Sequence, residues 1–529
     1  MPAALTFDGL LSSRRDSPNG TDAFVTQDGQ MVSPADFDAL VGRAAGWLQA
    51  NGIGAGDRIA IWLPNHIDWM ALLFGAARIS AVVAAVNTRY RTAELHHILK
   101  SAGAKMLIFE QSDARTDFSA LIEALDTATL PDLEILAVID GTDLPAIGAL
   151  PVRPCNWRDA AELKPQGATP DDPVLLFTTS GTTSAPKLVL HSQKSLVLHA
   201  VNCAPAYAFN APDARYLAVL PFCGVFGLNP TLAAIAGGAQ IYLNTVFDLE
   251  CAITTAKTAA ITHFFGSDDM FRMMWKADRA AFDHARLCGF ATFTPGLKST
   301  LHQMAADGLP LCGLYGASEV NAIFAMQPVT LPIGARLEGG GRTASREQTD
   351  VRVRNTDTGA LCPVGETGLL EIKASTNFTG YFRNPEATAK TIDAEGYFRS
   401  GDIGYLNADG TFTYLARGGD FIRLSGFLTD PREIEEVIQS IEGVTRAQVV
   451  GVTWDGKTRP VAFVTIKSAS SPTEETILAS TKDQLAHYKV PVFVKILDEF
   501  PTVESANGLK IRKGHLRDMA TGILTERNT

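Results

Sequence analysis

Residues 178–187, TTSGTTSAPK, place a dense set of hydroxyls, one glycine and a lysine directly after the apolar run VLLF. Backbone N–H groups, hydroxyl donors and a cation in so short a loop can converge on phosphate oxygens. The run is not a Walker loop, which needs a second glycine ahead of the lysine and a hydroxyl after it; here Pro186 precedes Lys187 and Leu188 follows. Near the other end, Lys510, Arg512, Lys513 and Arg517 form a basic group that, on charge alone, is a solvated face. Asp402, within S-G-D-I, is on its own terms a turn residue. Zinc chemistry has no support: none of the 10 histidines stands in HExxH spacing, and the 7 cysteines are scattered without a CxxC pair. The cysteines read as small buried apolar residues in a reducing compartment.

These groups need a scaffold, and 529 residues are enough for two or more packed units. An apolar content of 46% with 19% charged residues is that of a folded globular protein. A net charge of −11 repels nucleic acid and anionic membrane, so any polyanionic ligand must be held by local positive groups. No basic start with an apolar run opens the chain, and the longest apolar stretch, 71–86, contains Arg78 and is too short to span a membrane. A soluble cytoplasmic protein is expected. Short apolar runs at 58–64, 81–86, 105–110, 174–179, 215–221 and 239–244 alternate with helix-length stretches. That rhythm predicts an α/β fold with a mostly parallel sheet to about residue 330. From about 340 to 418, alternating strands with glycine-bearing turns predict a small β-rich subdomain. Residues 1–418 are thus the large N-terminal domain, and 419–529 a small, mobile α+β domain that begins at the paired glycines Gly418 and Gly419.

Five segments in order, TSGTTSAPKL (179–188), LYGASEV (314–320), YFRSGDIGYLNADG (397–410), ARGGDFIRLSGFLTDPREIE (416–435) and ANGLKIRKGHLR (506–517), resemble the adenylate-forming superfamily. That superfamily includes acyl-CoA synthetases, nonribosomal adenylation domains and firefly luciferase. The resemblance implies ATP, Mg2+ and coenzyme A as cofactors and a small-molecule carboxylic acid as partner; a homodimer is one assembly it allows. By the same resemblance, Thr179, Ser180, Gly181, Thr182, Thr183 and Lys187 cradle the ATP phosphates. Tyr315, with Gly316, offers an aromatic face to adenine, Ser318 a hydroxyl to the α-phosphate, and Glu319 a carboxylate to Mg2+. Asp402 accepts from the ribose hydroxyls with Arg417 beside it, Lys510 is the catalytic lysine of acyl-AMP formation, and Asp420 is the hinge.

Several positions depart from the family pattern. Ser184 and Leu188 replace glycines, Leu509 separates Gly508 from Lys510, and Gln193 stands where a histidine often follows the phosphate loop. Gly224 occupies a place often held by histidine or an aromatic, and Asp268-Asp269 replace a common Pro-Pro pair. His263, Phe264, Phe265 and Phe293, with Gly224, are then expected to form an apolar acyl pocket, and no acidic residue is placed to hold a substrate amine. The expected reaction is activation of an acid to acyl-AMP and pyrophosphate, then transfer to coenzyme A. Delivery to a carrier protein or an amine, or an impaired homologue with a binding role, are the alternatives.

Overall fold

The computed structural model describes residues 4–15, 23–112, 116–139, 141, 146–178, 186–294, 297–345, 349–418, 422–424, 427–454, 457–467, 472–485, 487–505 and 508–527. At 15, 423, 427, 428, 483, 504, 505, 508–510 and 527 only the backbone is described. Two large sheets carry the N-terminal domain. In an 8-stranded sheet, Arg58–Trp62, Val82–Ala85, Met106–Glu110 and Pro173–Thr178 pair in parallel, as the alternation of apolar runs predicts. Leu188–Ser192 then folds back antiparallel on Pro173–Thr178.

The second sheet has 13 strands and crosses the boundary that sequence texture drew near residue 330. Its parallel part contains Arg215–Ala218, His263–Ser267, Leu287–Ala291 and Leu311–Ala317. At Leu311–Ala317 the sense changes: Asn321–Met326 pairs antiparallel with it, followed by Gly339–Thr343 and Phe412–Arg417. The β-rich strands therefore extend the body's own sheet instead of forming a detached layer. Helix Ile67–Arg78 is buried on every side, all 12 residues of it, as an apolar helix packed into a large core must be. Both of its charged residues are paired: Asp68 in the first turn with Arg158 at 2.9 Å, and Arg78 at the far end with Asp8 at 2.8 Å and Asp38 at 2.5 Å.

The small domain packs helices Pro431–Gln439 and Glu474–Gln484 against strands Val444–Trp454, Lys457–Ile466 and Val494–Ile496. Pro431 at the first helical turn and the Asp430 side chain, which accepts from the Arg432 N–H, begin the first of these helices. Strand Gly508–Ile511, which carries Lys510, pairs with Thr502–Ser505 in a separate hairpin.

Candidate active site

The turn that joins Leu311–Ala317 to Asn321–Met326 brings Tyr315, Gly316, Ser318 and Glu319 together. Glycine is required at 316, because a Cβ there would lie 2.6 Å from the Ala322 Cα and 2.7 Å from the Asn321 oxygen. The strand beyond the turn is strained. Asn321 and Ile323 have φ of 72° and 51°, and the second is a β-branched residue for which that region is an outlier. Such residues cost on the order of 1–3 kcal/mol each and persist only where surroundings over-determine them.

Two hydrogen-bonded groups flank this turn. In the first, the Tyr315 hydroxyl donates to Asp402 Oδ2 at 2.6 Å while Arg417 Nη1 reaches Asp402 Oδ1 at 3.0 Å and the Ser400 carbonyl at 2.7 Å. Asp402 lies within strand Phe398–Leu406, directly after Gly401 with φ 74°, and pairs across the sheet with Arg417, so the turn expected at S-G-D-I is a strand. Burial raises the Asp402 carboxyl above its ordinary range, and Arg417 pulls it back down. Burial and the neighbouring carboxylate likewise raise the Tyr315 hydroxyl, so it stays protonated and donates. The Tyr315 ring is 4% exposed and packs on Phe412 and Tyr414 at 5.3 and 5.4 Å. In the second group, the Tyr381 hydroxyl donates to Glu319 Oε1 at 2.8 Å, and Lys187 Nζ lies 4.7 Å from the Tyr381 ring centre. Tyr381 is fixed by antiparallel pairing with Val189, two residues from Lys187. It went unread in the sequence, because its partners are 62 and about 190 positions away and only the fold joins them.

Residues Thr179, Ser180, Gly181, Thr182, Thr183 and Asp420 lie outside the described residues, and for Lys510 the backbone alone is described, opposite Val503.

The aromatic residues expected at an acyl pocket divide between two faces. Alternation along His263–Ser267 turns His263 and Phe265 toward Phe209, with ring centres at 4.9 and 5.8 Å. Phe264 faces the opposite way, onto Phe282 at 5.1 Å. Both His263 nitrogens are satisfied internally, Nε2 by the Tyr207 carbonyl at 3.0 Å and Nδ1 by Thr262 at 2.7 Å. Burial holds this imidazole neutral, its pKa lowered to about 4. His263 and Phe264 are thus core groups on opposite sides of one strand, a correction to the single lining drawn from sequence. Phe293 is half-buried against the main core, and Gly224 caps helix Val225–Gly237 with an ordinary φ of −106°.

Asp268 has a clearer part than its replacement of proline suggested. Its carboxylate accepts from its neighbour Asp269 N–H at 2.9 Å and from Thr294 N–H at 3.0 Å, tying the start of helix Asp268–Ala277 to the segment after Leu287–Ala291. Burial pushes this carboxyl up to about 6. Across the domain boundary, Lys298 of the large domain reaches Glu436 of the small one at 3.0 Å, with Glu338 3.8 Å away.

A two-sheet body with a turn between a buried carboxylate–tyrosine pair and the Glu319–Tyr381–Lys187 group, joined to a small α+β domain, has the architecture of an adenylate-forming enzyme. Family comparison agrees: the AMP-binding enzyme model matches residues 13–382 and the AMP-binding enzyme C-terminal domain matches 433–507. The chain belongs to the AMP-binding enzyme family. It is 30% identical over 538 residues to a methyl-dioxo-octahydroindenyl-propanoyl:CoA ligase of Mycobacterium tuberculosis, with 98% of each chain covered. It is 28% identical to a putative acyl-CoA synthetase of Bacillus subtilis, covering 97% of this chain and 96% of that one. ATP-bound MatB from Rhodopseudomonas palustris has the same fold, with a TM-score of 0.82 at 24% identity over 99% of this chain and 100% of that one.

Proposed function

We propose that this protein is an ATP-dependent acid:CoA ligase acting on an apolar, ring-bearing carboxylic acid. A carboxylate oxygen attacks the α-phosphorus of ATP and pyrophosphate leaves; the thiolate of coenzyme A then attacks the acyl carbon and AMP leaves. The observation that carries the reading is the meeting, around one turn, of the Tyr315–Asp402–Arg417 group with the Glu319–Tyr381–Lys187 group. Ring-bearing acids are favoured because the similar proteins include the indenyl-propanoyl:CoA ligase, a feruloyl-CoA synthase and a hydroxybenzoate–CoA ligase.

Each residue then has a task. Asp402 accepts from the ribose hydroxyls, and Arg417 keeps it ionised. Lys187 and the 179–183 segment hold phosphate oxygens, Tyr315 and Gly316 border the adenine, and the Ser318 hydroxyl meets the α-phosphate. Glu319 suits Mg2+, being a hard oxygen donor held at the turn. When bound, Mg2+ neutralises phosphate charge. Tyr381 holds Glu319 in place for it. Lys510 supplies a cation to the carboxylate as it attacks, and Asp420 is the pivot of the small domain. Gly224, Phe265 and Phe293 border the acyl group. No described helix is long and apolar enough to cross a membrane.

The test is pyrophosphate release across a panel of carboxylic acids, with and without coenzyme A, for the native enzyme and Glu319→Gln. Acid-dependent release with coenzyme A consumed, and a loss of about 100-fold or more in the variant, is expected. Acid-dependent release without coenzyme A consumption would instead point to a carrier-protein or amine acceptor.

A further inference from the structure

His191, Ser195, His199, Cys203 and Tyr207 stand at intervals of four from the end of strand Leu188–Ser192 through helix Gln193–Ala206. Within the helix, four-residue spacing stacks Ser195, His199 and Cys203 on one face, with His191 near the end of the strand and Tyr207 at the helix C-cap bounding the row. All five are buried, at 0%, 3%, 2%, 0% and 5% exposure, yet this face is polar. A polar helix face inside a core must satisfy partners elsewhere. The partners are carbonyls of the strained turn and the strand that follows it. His191 Nε2 lies 2.7 Å from the Ser318 oxygen, and His199 Nε2 2.7 Å from the Ala322 oxygen. The Tyr207 hydroxyl donates to the Ile323 oxygen at 2.7 Å, and Cys203 Sγ is 3.7 Å from the same atom. Carbonyls only accept, so both imidazoles carry their proton on Nε2. From the adjoining helix Val225–Gly237, Asn229 Oδ1 accepts the Ala322 N–H at 2.7 Å.

We propose that this face of the helix is a positioning device for the reaction, holding the turn in its strained form so that Ser318 and Glu319 meet the α-phosphate and its metal in register. Ile323 could relax to an ordinary φ only by rotating one of the two peptides whose carbonyls are held at Ala322 and Ile323, and the peptide after Asn321 is held through the Ala322 N–H by Asn229. Burial above all, and then the nearness of the two rings, depress His199 to about 4, and burial does the same for His191. The clamp therefore donates hydrogen bonds without adding positive charge beside the metal-binding carboxylate. His191, Ser195, His199, Cys203 and Tyr207 are positioning residues, since none of them is assigned a contact with nucleotide or acid.

The proposal rests on the roles given above to Ser318 and Glu319, and its test separates the two. Native enzyme, His199→Leu, His199→Gln and Tyr207→Phe are compared by amide exchange over 318–326 without nucleotide, by pyrophosphate release, and by thioester formation from synthetic acyl-AMP. His199→Leu and Tyr207→Phe should exchange that segment about 10-fold faster. They should lose on the order of 10- to 100-fold in adenylation, with thioester formation within about twofold of native. His199→Gln, which keeps a donor, should recover most of both losses. Unchanged exchange in Tyr207→Phe, or equal loss of both half-reactions in every variant including His199→Gln, would overturn the proposal. Native enzyme that releases no pyrophosphate with any acid would overturn the ligase reading while leaving the exchange result to stand.

Discussion

A buried neutral imidazole is a conditional donor, because it serves the fold only while it stays uncharged. His263, 1% exposed, has its pKa lowered to about 4 by burial, against about 6.5 in an unfolded chain. As pH falls, the unfolded chain takes up the proton first, so the stability this residue contributes is full above 6.5 and is lost progressively toward 4. At pH 5 that loss is about 2 kcal/mol. Asp268 and Glu435, raised by burial to about 6 and about 7, act with the opposite sign, binding protons in the folded state over the same range. The informative comparison is therefore between proteins. Urea unfolding at pH 7 and pH 5 should show a smaller drop for His263→Gln than for the native chain; an equal drop would mean the native imidazole is not held neutral. Sequence made the turn 314–320 legible because its residues are contiguous. It could not show that His263 bonds to the Tyr207 carbonyl, 56 positions away, instead of facing a ligand.

At the level of elements, one carboxylate sets a loop. Ser267 caps helix Asp268–Ala277 in the ordinary way, its hydroxyl accepting from Met270 N–H at 3.2 Å, which leaves Asp268 available to receive Thr294. Asp268→Ala should orphan the Thr294 N–H and free Phe293, raising the KM for the acid by about 10-fold while the KM for ATP stays within about twofold. A matched rise in both constants would show that Asp268 supports the whole site and not the acyl side. Strands were readable from the apolar runs: the run 58–64 contains Arg58–Trp62, and the run 105–110 contains Met106–Glu110. The row from His191 to Tyr207 was not, because its four-residue spacing is interleaved with other polar residues, Ser192, Gln193, Lys194 and Asn202. Its meaning depends on the carbonyls opposite, and backbone atoms leave no trace in composition.

For the molecule as a whole, the two domains meet through Lys298, set between Glu338 and Glu436. Lys298→Glu gathers three carboxylates and should disfavour this arrangement by a modest amount, about 0.2–1 kcal/mol for an exposed pair, fading as salt is raised. A change of about 1.4- to fivefold in the ratio of adenylation to thioester formation follows, in low salt only; equal effects on both rates would remove Lys298 from any part in domain placement. The change of texture near 330 was legible because texture is local, whereas the sheet that runs across it was not, since strand pairing between distant segments is decided by packing. That sheet carries a practical consequence. The textural boundary near 330 invites expression of residues 1–330 as a compact α/β fragment. Cutting there would strip Gly339–Thr343 from Asn321–Met326, whose sequence NAIFAM is uncharged and buried along its full length. The fragment would carry a bare apolar edge with its hydrogen-bonding groups unmet, a template for stacking one copy on the next, and inclusion bodies are the expected yield.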